Sequence, residues 1–380
     1  MINRPLTIVN VVSYACMGGA DRFALDLSIG LREKGHRVIW AAPASCQMNG
    51  EAREGNVEIF DLEPSHTGAF ALAQLLKICK SEAVDIVNTH DSPARHLLLL
   101  ARLRGLRSKI VFTRHCILSG LPYVGAFYFN LVDMNIAVSK VIKKSLLRGG
   151  ILPGRAVMVY GGIDINKFRT VSAERVANVR NKYCRPGAFN IGIVARFNGG
   201  KHFRPDNPSM KGHEFLFRAL SDFPGDFNVL VLGVWGGRDI DTLKLVAEYN
   251  GLSPAALTIC DFQKDIAPFY KIMDLNVLPS RNEGLGLTLI EAMAAGVPCI
   301  GADSGGIREI IDDGANGFLF APGDSNALAE KIRTLREDAE IRDRFIRNGK
   351  EKVARLFDID NAVRETEKIF YGLVARSQYY

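Results

Sequence analysis

Glu283 and Glu291 stand eight residues apart within the stretch 279–309, PSRNEGLGLTLIEAMAAGVPCIGADSGGIRE. Between them a glycine turn, Gly284-Leu285-Gly286, runs into a helix-forming segment at 287–295. Gly296 and Pro298 then supply the usual grammar of a helix stop. Residues 275–279 ahead of the turn read as a buried strand, and 297–302 as the next one. The first amides of a helix lack internal partners and carry the positive end of its dipole. Glycines at 284 and 286 let a ligand approach that backbone, and a phosphate is the natural occupant. The amides at Gly286, Leu287 and Thr288 are the candidate anion-binding groups, with the Thr288 hydroxyl beside them. Glu283, in the turn, can face whatever the phosphate carries. Glu291, one helical turn after Thr288, can accept hydrogen bonds from paired hydroxyls such as those of a ribose. Either glutamate alone would be read as a cap or a solvated residue; the strand–turn–helix setting gives the string its meaning.

The elements around this unit repeat its pattern. Residues 6–12 form a buried-strand candidate, followed by Gly18-Gly19 and an amphipathic helix with Phe23, Leu27 and Leu31 on one side. Gly35 is its expected cap, and 37–42 the next strand. Strands at 57–61, 85–88, 109–113, 134–138 and 157–160 follow, two of them ending at His90-Asp91 and at Arg114-His115. Ser92 is expected to cap a helix whose first residue is Pro93. Residues 165–188 are polar and irregular and are assigned as an inter-domain linker. A second series begins at 189–195. It continues through strands at 228–232 and 257–260 and helices at 211–220, 242–250, 266–273, 326–336, 339–357 and 361–377. Alternation of this kind predicts an α/β chain of two Rossmann-like doubly wound parallel sheets, with ligands at the strands' carboxyl ends in a cleft between domains. The expected domains are 1–168, with a returning helix at 358–380, and 185–357. The segment 197–210, FNGGKHFRPDNPSM, is expected to be a mobile loop.

Composition narrows the class. Of 380 residues 47% are hydrophobic and 23% charged, which suits a soluble globular protein. Apolar runs are too short to span a membrane. Seven cysteines without a Cys-x-x-Cys argue for reduced cytosolic thiols rather than disulfides or zinc. The net charge of +7 is uneven: residues 1–180 carry +9 and residues 181–380 carry −2. Arg95, Arg102, Arg104, Arg107, Lys109 and Arg114 form one basic set, and Lys140, Lys143, Lys144 and Arg148 another. Such sets are solvated faces or a docking surface for anionic lipid. No nucleic-acid module and no basic–aromatic platform is present, so nucleic acid is not an expected partner.

Taken together these residues resemble the retaining nucleotide-sugar glycosyltransferases of family 4, which have the GT-B fold. Glu283-x7-Glu291, EAMAAGVP and the following Gly305-Gly306-x-x-Glu309 match the family's central motif. Gly18-Gly19 resembles its donor-phosphate glycine loop, Gly35-His36 its "GH", and Ala195-Arg196 and Lys211-Gly212 its phosphate-binding Arg and Lys. Gly161-Gly162-Ile163-Asp164 resembles its hinge, and 314–323 its "G..G.L..PGD" segment. The resemblance implies that Arg196 and Lys211, with the amides at 286–288, stabilise the leaving nucleoside diphosphate. It places Glu291 on the ribose, Glu283 on sugar hydroxyls, His115 facing the sugar with His90 as runner-up, and Gly18 and Gly19 near the donor phosphate. It implies no cofactor and no metal, a UDP- or GDP-sugar donor, and a glycan or glycolipid acceptor held by the first domain. Lipopolysaccharide or surface polysaccharide synthesis on the cytoplasmic side of a bacterial inner membrane follows from it. The alternatives are a soluble-acceptor transferase, a nucleotide-sugar epimerase, or an inactive sugar-nucleotide binding module. The chain departs from the family at Tyr160-Gly161, Leu285, the Gly233–Gly237 turn and Asp261-Phe262. The long 197–210 insertion also makes Lys201 an alternative to Lys211.

Overall fold

The computed structural model describes residues 4–13, 18–63, 68–118, 129–197, 210–260 and 263–376. Lys201, nearly all of the 197–210 segment and Asp261-Phe262 lie outside the described residues. The chain divides into two compact units, residues 1–163 with 357–380, and residues 164–356.

The first unit carries β1 (Thr7–Val11), β2 (Arg37–Ala42), β3 (Glu58–Asp61), β4 (Ile86–Thr89), β5 (Lys109–Arg114), β6 (Met134–Ala137) and β7 (Ala156–Met158). They make one parallel sheet in the order β3-β2-β1-β4-β5-β6-β7. The central strands β4 and β5 are buried, apart from Lys109 at the start of β5, because helices cover both faces of such a sheet. In the β1–β4 register Asn10 lies directly beside Asn88, both fully buried in otherwise apolar strands.

The helix Ile359–Ala375 completes this unit and lies against the helix Gly19–Glu33. Gly30 lets the two approach: a Cβ there would overlap the Val363 side chain. The "GH" pair has a physical reason as well. His36 Nδ1 accepts the Leu6 amide (3.1 Å), which leaves its Nε2–H to donate to Glu367 Oε1 (3.0 Å). At Gly162 a Cβ would stand 2.9 Å from the Asp358 carbonyl carbon. There the departing and returning strands of chain bond to each other, Ile163 N–H to Phe357 O and Ile359 N–H to Ile163 O.

The second unit carries β8 (Phe189–Val194), β9 (Phe227–Leu232), β10 (Leu257–Ile259), β11 (Leu275–Leu278), β12 (Cys299–Ala302) and β13 (Phe318–Phe320). Its parallel sheet has the order β10-β9-β8-β11-β12-β13. Both sheets reverse their winding beside their first strand, between β1 and β4 and between β8 and β11.

Some local expectations need correcting. Residues 165–188 are not an irregular linker: they form the helices Ile165–Arg169 and Ala173–Tyr183, capped by Asp164 and Ser172. The second of these buries no residue, so it shows no apolar period. The helix at 92 is capped by Asp91 rather than Ser92, through its Oδ1 and the Ala94 amide (2.8 Å). The helix expected at 242–250 runs Gly237–Tyr249 and begins earlier than its apolar residues indicate. The first basic set is not one surface either. Arg102 and Lys109 pair with Asp133, and Arg114 is buried over the Phe129 ring at 4.5 Å. Among the described residues no helix is long and apolar enough to cross a membrane.

Candidate active site

In the second unit the loops after β8 and β11 flank the point where strand order reverses, the place where open parallel sheets bind ligands. After β11 the chain turns at Gly286, whose φ of +103° opens the helix Leu287–Ala295. That angle suits glycine and strains other residues. The turn is braced from behind by Gly305-Gly306. Gly306 N–H donates to Glu283 O (2.8 Å), and a Cβ on either glycine would overlap the backbone of Glu283 or Gly284. Ser304 Oγ donates to Ser280 O (2.6 Å) on the same loop. The preceding loop is tied in too: Arg281 N–H and Ser280 Oγ both donate to Met210 O (3.0 Å each). Gly212, at φ +72°, lies flat against Pro279.

This bracing brings Lys211 and Glu283 together, Nζ to Oε2 at 2.8 Å. Leu287 and Thr288 are half-buried at the helix N-terminus beside them. Arg196, just past β8, is exposed, with its guanidinium 5.6 Å from the Trp235 ring centre. The Gly233–Gly237 turn, a departure from the family pattern, thus supplies an aromatic support for that arginine. Glu291 is buried and accepts a hydrogen bond from the Tyr270 hydroxyl (2.8 Å); the Thr288 carbonyl is 3.2 Å from the same hydroxyl. Burial, and then the Glu291 charge, holds the Tyr270 hydroxyl well above the usual tyrosine range, so it stays a donor. Sequence reasoning missed Tyr270, because nothing in the spacing of 267–270 marks it. His213 is fully buried, and burial, followed by the Lys211 charge, pushes it down to about 3.

In the first unit the corresponding residues follow β1, β4 and β5. Gly18 and Gly19 are exposed at the start of the helix Gly19–Glu33, and the Gly18 amide is already taken by Asp21 Oδ2 (3.1 Å). Asp91 ties the end of β1 to the end of β4: its carboxylate accepts Ser13 N–H (2.6 Å) and Ser13 Oγ–H (2.9 Å). His115 and His90 are one assembly, not alternatives: His90 Nδ1 is 3.0 Å from His115 Nε2. Phe23 sets its ring edge-on to both, at 5.5 and 5.8 Å. Burial pushes His115 down to about 4. Burial, then the neighbouring His115, pushes His90 well below the ordinary value. Both imidazoles are therefore neutral at pH 7.

Comparison with known proteins agrees with this arrangement. Residues 207–352 match the family model "Glycosyl transferases group 1", and residues 17–167 match "Glycosyltransferase Family 4". EpsD of Bacillus subtilis (strain 168), named as a glycosyltransferase, is 30% identical over 318 residues, 78% of this chain and 79% of that one. The N-acetyl-alpha-D-glucosaminyl L-malate synthase of Bacillus anthracis is 24% identical over 96% of this chain and 97% of its own. Among solved structures, Anabaena Alr3699/HepE in complex with UDP-glucose superposes with a TM-score of 0.84. It is 22% identical, with 97% of this chain and 100% of that one covered. The chain belongs to the family 4 (group 1) glycosyltransferases and has their GT-B fold.

Proposed function

We propose that this glycosyltransferase is a retaining, metal-independent enzyme that moves a sugar from a UDP- or GDP-sugar to a glycan or glycolipid acceptor in surface polysaccharide or lipopolysaccharide synthesis. The observation that carries the reading is the braced turn at 283–286. It sets a helix N-terminus, Lys211 and Glu283 side by side where strand order reverses. The diphosphate is held by the amides at Gly286, Leu287 and Thr288 and by Lys211 and Arg196, with Gly19 as a further backbone contact, the Gly18 amide being held by Asp21. These groups take up the negative charge that grows as the sugar–oxygen bond breaks, so no metal ion is required for that task. The diphosphate competes with Glu283 for Lys211 and frees the carboxylate for sugar hydroxyls. Glu291, oriented by Tyr270, holds the ribose. His115 binds a sugar oxygen. Retention means that the acceptor oxygen enters on the face from which the diphosphate leaves.

The solved UDP-glucose complex of the Anabaena protein and two lipopolysaccharide glycosyltransferases among the structural neighbours support the donor and pathway class. The charge of +9 on residues 1–180 supports a peripheral, salt-sensitive attachment to anionic membrane, with the protein on the cytoplasmic side. Thermal unfolding with UDP, GDP, ADP, CDP and dTDP at about 1 mM tests the reading. A nucleotide at about 100 times its Kd adds about 2.7 kcal/mol. A selective shift that disappears in Arg196→Ala and Glu291→Ala supports the site and names the donor class. No shift with any of the five would refute the donor assignment.

A further inference from the structure

The buried polar chain beneath His115 runs in one direction. It starts at a group that can only accept, the Ala24 carbonyl. Ser28 Oγ lies 2.7 Å from that oxygen and therefore spends its single proton on it. Asn10 sits 2.7 Å from the same hydroxyl, so it must present its amide NH2 to Ser28 and its Oδ1 to the other side. The register places Asn88 there, and Asn88 Nδ2 donates to Asn10 Oδ1 (3.0 Å). This fixes which way Asn88 points, and Thr113 Oγ1, donating to Asn88 Oδ1 at 3.1 Å, agrees. The second proton of Asn88 Nδ2 then falls on His90 Nε2, 2.9 Å away, so that nitrogen is an acceptor. A neutral imidazole with an acceptor at Nε2 carries its proton at Nδ1. His90 Nδ1–H faces His115 Nε2 at 3.0 Å, so that nitrogen also accepts. The proton of His115 is left on Nδ1, which has no hydrogen bond among the described residues.

We infer that His90 is a positioning residue that fixes the tautomer of His115, so that His115 offers Nδ1–H as a hydrogen-bond donor to an oxygen of the transferred sugar. The role at the sugar rests on the function proposed above; the tautomer does not. The direction excludes two other roles for that nitrogen. It cannot take a proton from the acceptor hydroxyl, and its positive end repels rather than supports a developing oxocarbenium charge. Burial keeps both rings neutral at pH 7, as the relay requires.

Nitrogen NMR of the ligand-free full-length protein, labelled at histidine, reads the tautomer directly. At pH 7 His115 is expected as a single form with a protonated Nδ1 and a bare Nε2. A protonated Nε2, or a mixture, would overturn the inference. In His90→Phe, which keeps an aromatic ring against Phe23, the Nε2–H form of His115 should appear. The kcat for transfer should fall about tenfold, the effect of one lost hydrogen bond, while nucleotide-induced thermal shifts stay unchanged. A His115 that keeps its single Nδ1–H form in folded His90→Phe would show that His90 does not set it. If that variant does not fold, Asn88→Asp replaces it: a carboxylate can only accept, which reverses the relay and should move the His115 proton to Nε2. An Nδ1–H form retained in Asn88→Asp would likewise overturn the relay. A single Nδ1–H form in a protein that no nucleotide stabilises would support the tautomer and remove the transferase role.

Discussion

Substituting Gly305 by alanine tests whether the position of Glu283 is set from behind. A Cβ at 305 would stand 2.1 Å from the Glu283 carbonyl oxygen and 3.0 Å from its carbonyl carbon and its amide nitrogen. Real contacts of this kind do not close below 3.0 Å. The Glu283 backbone must therefore move by about 1 Å, since interiors of this density transmit such strain rather than absorb it. The left-handed conformation at 305, φ +51°, adds about 1 kcal/mol of strain for alanine, and the overlap about 2 more. A loss of about 3 kcal/mol lowers the Tm of a unit of this size by about 6–12 °C. At a temperature where the variant is still folded, turnover of the nucleotide sugar should fall about 100-fold, the usual cost of misplacing a reacting group by 1 Å. Gly314→Ala is the control. Its φ is +72°, yet nothing lies within 4 Å of the added carbon, so it carries the backbone strain without the displacement. If Gly305→Ala melts and turns over like Gly314→Ala, the bracing argument is wrong.

Tyr270→Phe removes the donor to Glu291 and should cost about 1.5–3 kcal/mol in thermal or denaturant unfolding, with weaker nucleoside diphosphate binding by calorimetry. His213 is held near 3 when folded and titrates near 6.5 when unfolded, so between those values the unfolded chain binds the extra proton and stability falls as pH drops. Each pH unit removes about 1.4 kcal/mol, and His213→Phe should reduce the loss between pH 7 and pH 5 by about 2 kcal/mol; an unchanged acid limb would contradict the burial of that ring. A double-mutant cycle with Lys211→Met and Glu283→Gln should give a coupling below about 1 kcal/mol that shrinks with salt, because Lys211 is 33% exposed. A larger, salt-independent coupling would mean that the pair is a fixed structural element rather than one a diphosphate can open.

What was legible in the sequence was local. The glycine turn at 284–286, the stop at 296–298 and the strands around them are written in contiguous residues, and the structure forms them with ends shifted by one or two positions. The double glycine at 305–306 was readable as a motif, but its cause, a backbone passing within overlap distance, was not. Tyr270 and Glu291 meet across 21 positions with no period to connect them. His90 and His115 were each visible as a histidine after a strand, yet they looked like competitors because the β4–β5 pairing that joins them is not in either segment. Asn10 and Asn88 were the available signal: an asparagine inside an apolar strand needs a partner. Ser92 and Asp91 are both good caps, and only the tie from Asp91 to Ser13 decides between them.

The return of the chain to its first unit has a consequence for how the protein is made. Residues 1–163 leave the ribosome before residues 164–356, and the helix Ile359–Ala375 that covers Gly30 and meets His36 follows only after them. At ordinary elongation rates about 10–40 s pass between the two. Residues 164–356, being contiguous, are complete sooner than the unit whose synthesis began first. During that interval the outer face of the helix Gly19–Glu33 is an uncovered apolar surface, a target for chaperones and for neighbouring nascent chains. A nonsense mutation just before Ile359 is thus a lesion of the amino-terminal half, although every codon of that half is intact.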